Sequence, residues 1–294
     1  MITVHTVLDL QAQITRLKAE NQSIGFVPTM GALHEGHLSL MRKAKEEQDV
    51  LVVSIFVNPL QFGPGEDYDT YPRTIDKDKE LLSQIGADVL FMPSVKEMYP
   101  RPLHTSVSVQ KGADVLCGKS RPGHFDGVLT VVLKLFQLVQ PHAAYFGKKD
   151  AQQVAVIQNM VEDFHIPVKI VPVDTVRERD GLAVSSRNVR LTPEERKEAP
   201  HLYQSLQLAL TLIQHGTTNC DVIKEKMREY LKQHTSGEID YIDILTFPTL
   251  TALSEVRGTI IIAIAVQFSE ARLIDNVIVD IAYEKGEVSC IARS

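Results

Sequence analysis

The run VLVVSIFV, Val50–Val57, constrains the fold of this chain more than any other stretch. It is almost continuously apolar and rich in β-branched residues. Such a run reads as a strand buried on both faces, the place of a central strand in a parallel sheet. It is far shorter than the roughly 20 residues a membrane helix needs. Segments around it alternate in type. Ile24–Val27, Val89–Met92, Ala143–Phe146 and Val168–Val171 read as further strands, the first of them opening the sheet. His37–Gln48, Thr74–Ile85, Val128–Val139 and Asp150–Phe164 read as helices with one apolar face, such as Leu38, Met41 and Ala44 in the first. Alternating β and α segments predict the α/β class, an open parallel sheet with helices on both faces.

The pattern changes near Asp174–Asn188. In LTPEERKEAP, Thr192 suits an N-cap, Pro193 the first helical position, and Glu194 and Glu195 the positive helix end. Helices around 201–214 and 219–233 follow, then strand-like runs at Ile239–Leu245, Thr259–Phe268 and Arg272–Ala282. This is an α+β arrangement, so the chain is divided into a domain at 1–176 and a smaller one at 177–294.

A net charge of −6 argues against a broad nucleic-acid footprint. Cys117, Cys220 and Cys290 are too far apart for a zinc cluster or a disulfide framework, which points to a reducing cytoplasm. The first residues, Met1-Ile2-Thr3-Val4-His5, do not form a secretory leader, and no stretch is long enough to span a membrane.

Ligands of open α/β sheets bind beyond the carboxyl ends of the strands. That rule selects PTMGALHEGH, NPLQFGPGEDYD and GKKDAQQ, each directly after a strand. Several familiar motifs fail. GADVLCGKS has one residue too many between its glycines for a phosphate loop, and with RPGH following it no helix is expected there. GPGEDYD lacks the third glycine of a dinucleotide fingerprint, and HEGH is one residue short of a zincin pair. What remains for His34 and His37 is an anion site. A helix start offers free N–H groups and a positive dipole end, Gly31 and Gly36 allow close backbone approach, and imidazoles donate to phosphate.

His34-Glu35-Gly36-His37 resembles the His-x-Gly-His signature of the nucleotidyltransferase superfamily, which includes class I aminoacyl-tRNA synthetases. PTMGALHEGHLSLMRKA, VVSIFVNPLQFGPGEDYDTYPRT, RPGHFDGVLTVVLKLFQLVQP, YFGKKDAQQ and DGLAVSSRNVRL together resemble the pantoate–β-alanine ligase family over nearly the whole chain. Val184 departs from the methionine expected before Ser-Ser-Arg, a neutral change where backbone is the contact. The resemblance implies a Rossmann-like ATP- and pantoate-binding domain with a C-terminal lid. It implies ATP-dependent joining of (R)-pantoate to β-alanine through a pantoyl adenylate, releasing AMP and pyrophosphate. Magnesium accompanies ATP as substrate, with no tightly bound prosthetic group and no protein metal site assigned. The partners implied are these small molecules and a second copy of the chain, with VSIFVNP onward as the interface region; neither nucleic acid nor membrane is expected.

By the same resemblance, Met30, Gly31, Ala32, Leu33, His34, Glu35, Gly36 and His37 form one wall of the ATP site, with His37 and His34 catalytic on the phosphates. Lys149 is the third catalytic residue, at the α- and γ-phosphates. Gly147, Lys148 and Asp150 flank it, Lys148 as the solvated neighbour and Asp150 facing the ribose. Val176 offers backbone to adenine. Val184 contributes backbone to the nucleotide, and Ser185, Ser186 and Arg187 address phosphate oxygens from the domain junction. Gln61 and Gln153 hold pantoate, and Gln61 also β-alanine, while Gln152 is the structural neighbour. Pro28, Met30, Phe62 and Val131 or Val132 are available as apolar walls. Three rivals differ from this reading: an enzyme transferring AMP or CMP to a phosphorylated acceptor, a tRNA synthetase fragment, and a non-catalytic nucleotide-binding regulator.

Overall fold

The computed structural model describes residues 1–284 and 287–292, with side chains described to residue 282. Its strands are β1 (Ile2–Val4), β2 (Ile24–Thr29), β3 (Val50–Ile55), β4 (Val89–Phe91), β5 (Ala143–Gly147), β6 (Lys169–Val173), β7 (Glu238–Thr246), β8 (Gly258–Gln267), β9 (Arg272–Glu284) and β10 (Glu287–Ala292). Its helices are α1 (Val7–Ala19), α2 (Glu35–Glu47), α3 (Ile75–Ile85), α4 (Val95–Met98), α5 (Leu116–Ser120), α6 (His124–Val139), α7 (Ala151–Asp163), α8 (Pro193–Glu198), α9 (His201–Gln214) and α10 (Cys220–His234). The chain forms two compact units. One comprises Met1–Ala113, Arg121–Gly147 and Val156–Val173, the other Asp114–Ser120, Lys148–Ala155 and Asp174–Ser294.

In the first unit β1 to β6 form one sheet in the order β1-β4-β3-β2-β5-β6, every pair parallel. Strand periodicity explains its two covered faces. Phe26 of β2 meets Phe136 of α6 edge-on at 6.5 Å between ring centroids, and Phe136 meets Phe146 of β5 at 6.4 Å. The next residue, Val27, points the other way and packs with Tyr145, with Leu40, Met41 and Ala44 of α2, and with Leu82 of α3. From β2 the chain moves outward one way through β3 and β4, and from β5 the other way to β6. The reversal falls between β2 and β5, where such sheets open a crevice at their carboxyl ends.

The second unit holds an antiparallel sheet, β10-β9-β8-β7. In β8, Ile260, Ile262 and Ile264 pack with Leu202, Leu206 and Ala209 of α9 and with Ile223, Met227 and Leu231 of α10. Ile261 and Ala263 alternate onto the opposite face, with Leu116, Ala151, Ala155 and Ile278. Helix α8 starts as its sequence dictates: Thr192 Oγ1 accepts from Glu195 N at 3.2 Å, and Glu195 Oε2 accepts from Thr192 N at 2.9 Å.

Some elements differ from expectation. Strand β1 and helix α1 are not anticipated, so the strand before the histidine pair is the second in the chain. A helix does form at Leu116–Ser120, entered through Leu116 in the left-handed region (φ 49). Helix α6 begins four residues before Val128 because Gly123, at φ 79, turns the chain into it. The sheet of the second unit gains β10, a strand not read from the sequence. Cys117 and Cys220 are free thiols; the side chain of Cys290 lies outside those described. Among the described residues no helix is long and apolar enough to cross a membrane.

One close approach in the first unit is testable. A Cβ at Gly127 of α6 would sit 2.3 Å from Leu60 O and 2.7 Å from Gln61 N, in the 3-10 turn Pro59–Gln61. Backbone cannot yield as a flexible side chain does. Gly127→Ala is expected to cost about 1–3 kcal/mol, the usual penalty of overpacking. The check is the thermal midpoint, and an unchanged midpoint would contradict the packing described.

Candidate active site

The first-unit residues gather at the end of β2. Gly31 (φ 83) and Ala32 (φ 49) are both left-handed, so the chain turns sharply away from the sheet. For Ala32 this conformation costs about 1–2 kcal/mol. The turn is held by Asp78 of α3, only 1% exposed, whose Oδ2 accepts from Ala32 N at 3.0 Å and Oδ1 from Leu33 N at 2.9 Å. Thr74 Oγ1 donates to the same carboxylate at 3.0 Å, and Gly31 N donates to Thr29 Oγ1 at 3.2 Å. Leu33 then drops into the core and His34 becomes the N-cap of α2. Its carbonyl accepts from His37 N at 2.8 Å and Leu38 N at 3.1 Å, but its side chain makes no capping bond. The imidazole is therefore not a cap. The rings of His34 and His37 stack 4.1 Å apart at 29°, both half-buried. Glu35 turns outward and pairs with Arg42.

Beside this turn lies Gln61, 9% exposed. Its Nε2 lies 3.3 Å from Met30 Sδ and its Oε1 accepts from Asn58 Nδ2 at 3.1 Å. Its carbonyl accepts from Arg121 Nη2 at 3.3 Å and lies 2.8 Å from His124 Nδ1. Arg121 also forks onto Glu66, with Nε to Oε1 at 2.7 Å, and this guanidinium holds the Glu66 carboxyl below the usual carboxylate range. Pro28, Met30 and Phe62 are partly exposed, whereas Val131 and Val132 are buried, at 6% and 5% exposure. Val53–Phe56, the start of the expected interface region, is likewise buried within the unit and offers no outward surface.

In the second unit Lys149 lines a pocket with Leu182, Ala183, Ser185, Asn188 and Asp275. The structure thus brings Lys149 and Ser185 together; Ser186 and Arg187 continue the same loop without lining the pocket. Lys148 is not a solvated lysine: its Nζ pairs with Asp174 Oδ1 at 2.6 Å and its side chain is 16% exposed. Asp150 is exposed. The lysines are fixed through their backbone, since Asn276 Nδ2 donates to Lys148 O at 3.0 Å and to Lys149 O at 2.8 Å. Asp275, 3% exposed, takes a forked Arg177 at 2.6 and 3.0 Å, and the guanidinium lies 3.7 Å from the Tyr203 ring centre. Val176 O already accepts from Val184 N at 2.9 Å, in a hairpin closed by the bridge Arg177–Ala183. Gln152 is 5% exposed and donates to Val115 O at 2.7 Å, a structural bond, while Gln153 beside it is partly exposed. Among the described residues no three His, Cys, Asp or Glu gather to hold a metal ion.

Sequence reasoning missed Asp78, Asn58, Arg121, Arg177, Asp275 and Asn276. Asp78 carried a signal: it lies four residues before buried Leu82, on the apolar face of α3.

Fold and loop together define an α/β protein of the nucleotide-binding kind, with a glycine–histidine turn at the sheet's switch point. A family model for pantoate-beta-alanine ligase matches residues 2–278. A pantothenate synthetase of Geobacillus is 55% identical over 281 residues, covering 96% of this chain and 100% of that protein. One of Halalkalibacterium halodurans is 59% identical over 279 residues, covering 95% and 99%. The crystal structure of pantothenate synthetase from Thermus thermophilus matches with a TM-score of 0.89 at 48% identity, over 94% of this chain and 98% of that one. The ligase from Francisella tularensis, complexed with beta-gamma ATP and β-alanine, matches at 0.77 and 39% identity over 94% and 97%. The chain belongs to the pantoate–β-alanine ligase family, and the activity that goes with it is the ATP-dependent formation of pantothenate.

The Asp78 clamp is open to direct test. Asp78→Asn sets an amide N–H against the Ala32 or Leu33 N–H, so the unit should lose about 1.5–3 kcal/mol, the range for a hydrogen bond to a charged group. The amide protons of Ala32 and Leu33 should exchange faster with solvent. Unchanged melting and unchanged exchange would show that the turn does not depend on the carboxylate.

Proposed function

We propose that this chain makes pantothenate through a pantoyl adenylate, and that the turn Met30–His37 handles the phosphates of ATP. In the first step a pantoate carboxylate oxygen bonds to the α-phosphorus, the bridging bond to the β-phosphate breaks, and pyrophosphate leaves with the electron pair. In the second the amine of β-alanine attacks the activated carbonyl, loses a proton, and AMP leaves. Without activation a carboxylate is a poor acyl donor; AMP supplies the leaving group.

The observation that carries this reading is the stacked His34–His37 pair at the start of α2. Free N–H groups and the dipole at that helix end favour an anion, and the imidazoles add donors aimed at growing negative charge. His37 is assigned the catalytic role in stabilising the pentacovalent phosphorus, with His34 beside it. No proton donor is required, because a carboxylate attacks. Met30, Gly31, Ala32, Leu33, Glu35 and Gly36 contribute the surrounding backbone. Lys149 is assigned the moving phosphate charge, a role suited to a mobile ammonium. Its place in a pocket with Ser185 supports this. Ser186 and Arg187 are the loop donors, Gly147 and Lys148 flank the site, Asp150 faces the ribose hydroxyls, Val176 serves adenine through backbone, and Val184 offers backbone to the nucleotide. Gln61 and Gln153 take pantoate, and Gln61 also β-alanine.

Residues 1–176 are assigned to ATP and pantoate and 177–294 to a lid. The magnesium that accompanies ATP neutralises triphosphate charge. A cytoplasmic homodimer completes the proposal. The free thiols of Cys117 and Cys220 suit a reducing compartment, and light scattering of the purified protein tests the dimer.

The experiment is nucleotide analysis with magnesium and (R)-pantoate, with and without β-alanine. AMP and pyrophosphate, turning over steadily only with β-alanine, are expected; ADP would overturn the adenylate route. His37→Ala and Lys149→Ala should each slow adenylate formation by roughly two to three orders of magnitude, the cost of one transition-state donor. Near-normal turnover in either variant would remove that residue from the catalytic role.

A further inference from the structure

The side-chain amide of Asn58 is held in one orientation from four sides. Its Oδ1 accepts from Leu60 N at 3.3 Å and from Tyr99 Oη at 2.9 Å. Its Nδ2 donates to Gly127 O at 3.1 Å and to Gln61 Oε1 at 3.1 Å. Amide orientation is decided by such a network, and here two partners are backbone groups that cannot change sign. Flipping Asn58 would set N–H₂ against the Leu60 N–H and Oδ1 against the Gly127 carbonyl. Asn58 is 1% exposed, so water cannot stand in for a lost partner.

The consequence passes to Gln61. Its Oε1 is occupied by Asn58, and its Nε2 is turned toward Met30 Sδ, a weak acceptor. Oε1 thus already accepts one strong bond while Nε2 has only a weak partner, so the contact Gln61 has most to gain from a ligand is through an N–H. We propose that Tyr99 is a positioning residue for substrate recognition: acting through Asn58, it sets Gln61 as a hydrogen-bond donor, so that Gln61 selects an acceptor oxygen of pantoate. This rests on the reading that Gln61 belongs to the pantoate site. Tyr99 is built for a fixed donor role. Its ring meets Phe56 at 6.0 Å and lies under Lys134 Nζ at 5.1 Å, and Lys134 is itself tied to Met98 O. Burial pushes the phenol pKa far above its usual range, so the hydroxyl keeps its proton.

Tyr99→Phe removes the hydroxyl and leaves the ring. The pantoate KM should rise about three- to tenfold, as for one neutral hydrogen bond lost, while the ATP KM stays within about twofold and the thermal midpoint falls by no more than about 5 °C. A rise in both KM values with a larger fall in the midpoint would mean a purely structural role and overturn the proposal. Gln61→Glu supplies the second arm. It replaces the donor by a carboxylate oxygen facing an anionic acid, so pantoate dependence should weaken by about a hundredfold or more, beyond Gln61→Ala. Pantoate binding retained in Gln61→Glu would show that Gln61 is used as an acceptor, against the proposal. If Gln61→Ala weakens pantoate binding but Tyr99→Phe does not, the relay is wrong and the site assignment stands. If neither Gln61 variant changes it, the site assignment itself fails.

Discussion

The position of β2 between β3 and β5 is the constraint on which the first unit depends. Strand β2 pairs in parallel at both edges, and side chains of α2, α3 and α6 cover its two faces, so its carboxyl end is where the chain opens toward a ligand. Pairing with β5 is short, Gly25 with Ala143 and Phe26 with Ala144, whereas pairing with β3 runs the full length to Thr29. The strands beyond that short pairing belong to halves of the sheet that move apart. The turn Met30–Leu33 occupies that end in a backbone conformation an alanine does not choose, and the Asp78 carboxylate offsets the cost with bonds to two consecutive N–H groups. Consecutive N–H groups of this kind attract anions. Here the anion is internal and structural, which leaves the start of α2, with the two imidazoles beside it, to face a ligand.

The second unit applies the same logic with opposite charge. Lys149 is placed by its carbonyl, held by Asn276, while the neighbouring Asp275 is neutralised by Arg177. A buried carboxylate without that fork would compete for the lysine. With it, the ammonium of Lys149 is left for the pocket it lines with Ser185. Breaking a buried pair of this kind strands a charge, so the pocket's electrostatics depend on Arg177 as much as on the lysine.

Periodicity made much of this legible in the sequence. The alternating faces of β2 and β8 and the apolar stripe of α2 are written in adjacent residues, and so are the glycine–histidine turn and the Thr192 capping box. Strand β1 is three residues long and carries little pattern, and α5 is a five-residue helix entered through a left-handed leucine, so both escape a reading by period. Helix α1 did carry its signal, a Thr6 cap with Leu10, Ile14 and Leu17 buried on one face. The supports of the site were hidden for a different reason. Asp78 acts on Leu33 across 45 residues and Tyr99 on Asn58 across 41. No local pattern records a partner that far away, and a lone Asp in a helix or a lone Tyr just after one reads as surface or core. Motif residues announce themselves in sequence; the groups that aim them require the fold.

The central claim is that pantoate oxygen attacks the α-phosphorus beside His34 and His37. The most direct measurement uses pantoate labelled with ¹⁸O in its carboxylate, turned over with ATP and β-alanine, followed by mass analysis of the phosphate products. The account predicts one ¹⁸O in the phosphate of AMP and none in pyrophosphate. Label in inorganic phosphate, with ADP as the nucleotide product, would place the attack at the γ-phosphorus and contradict it.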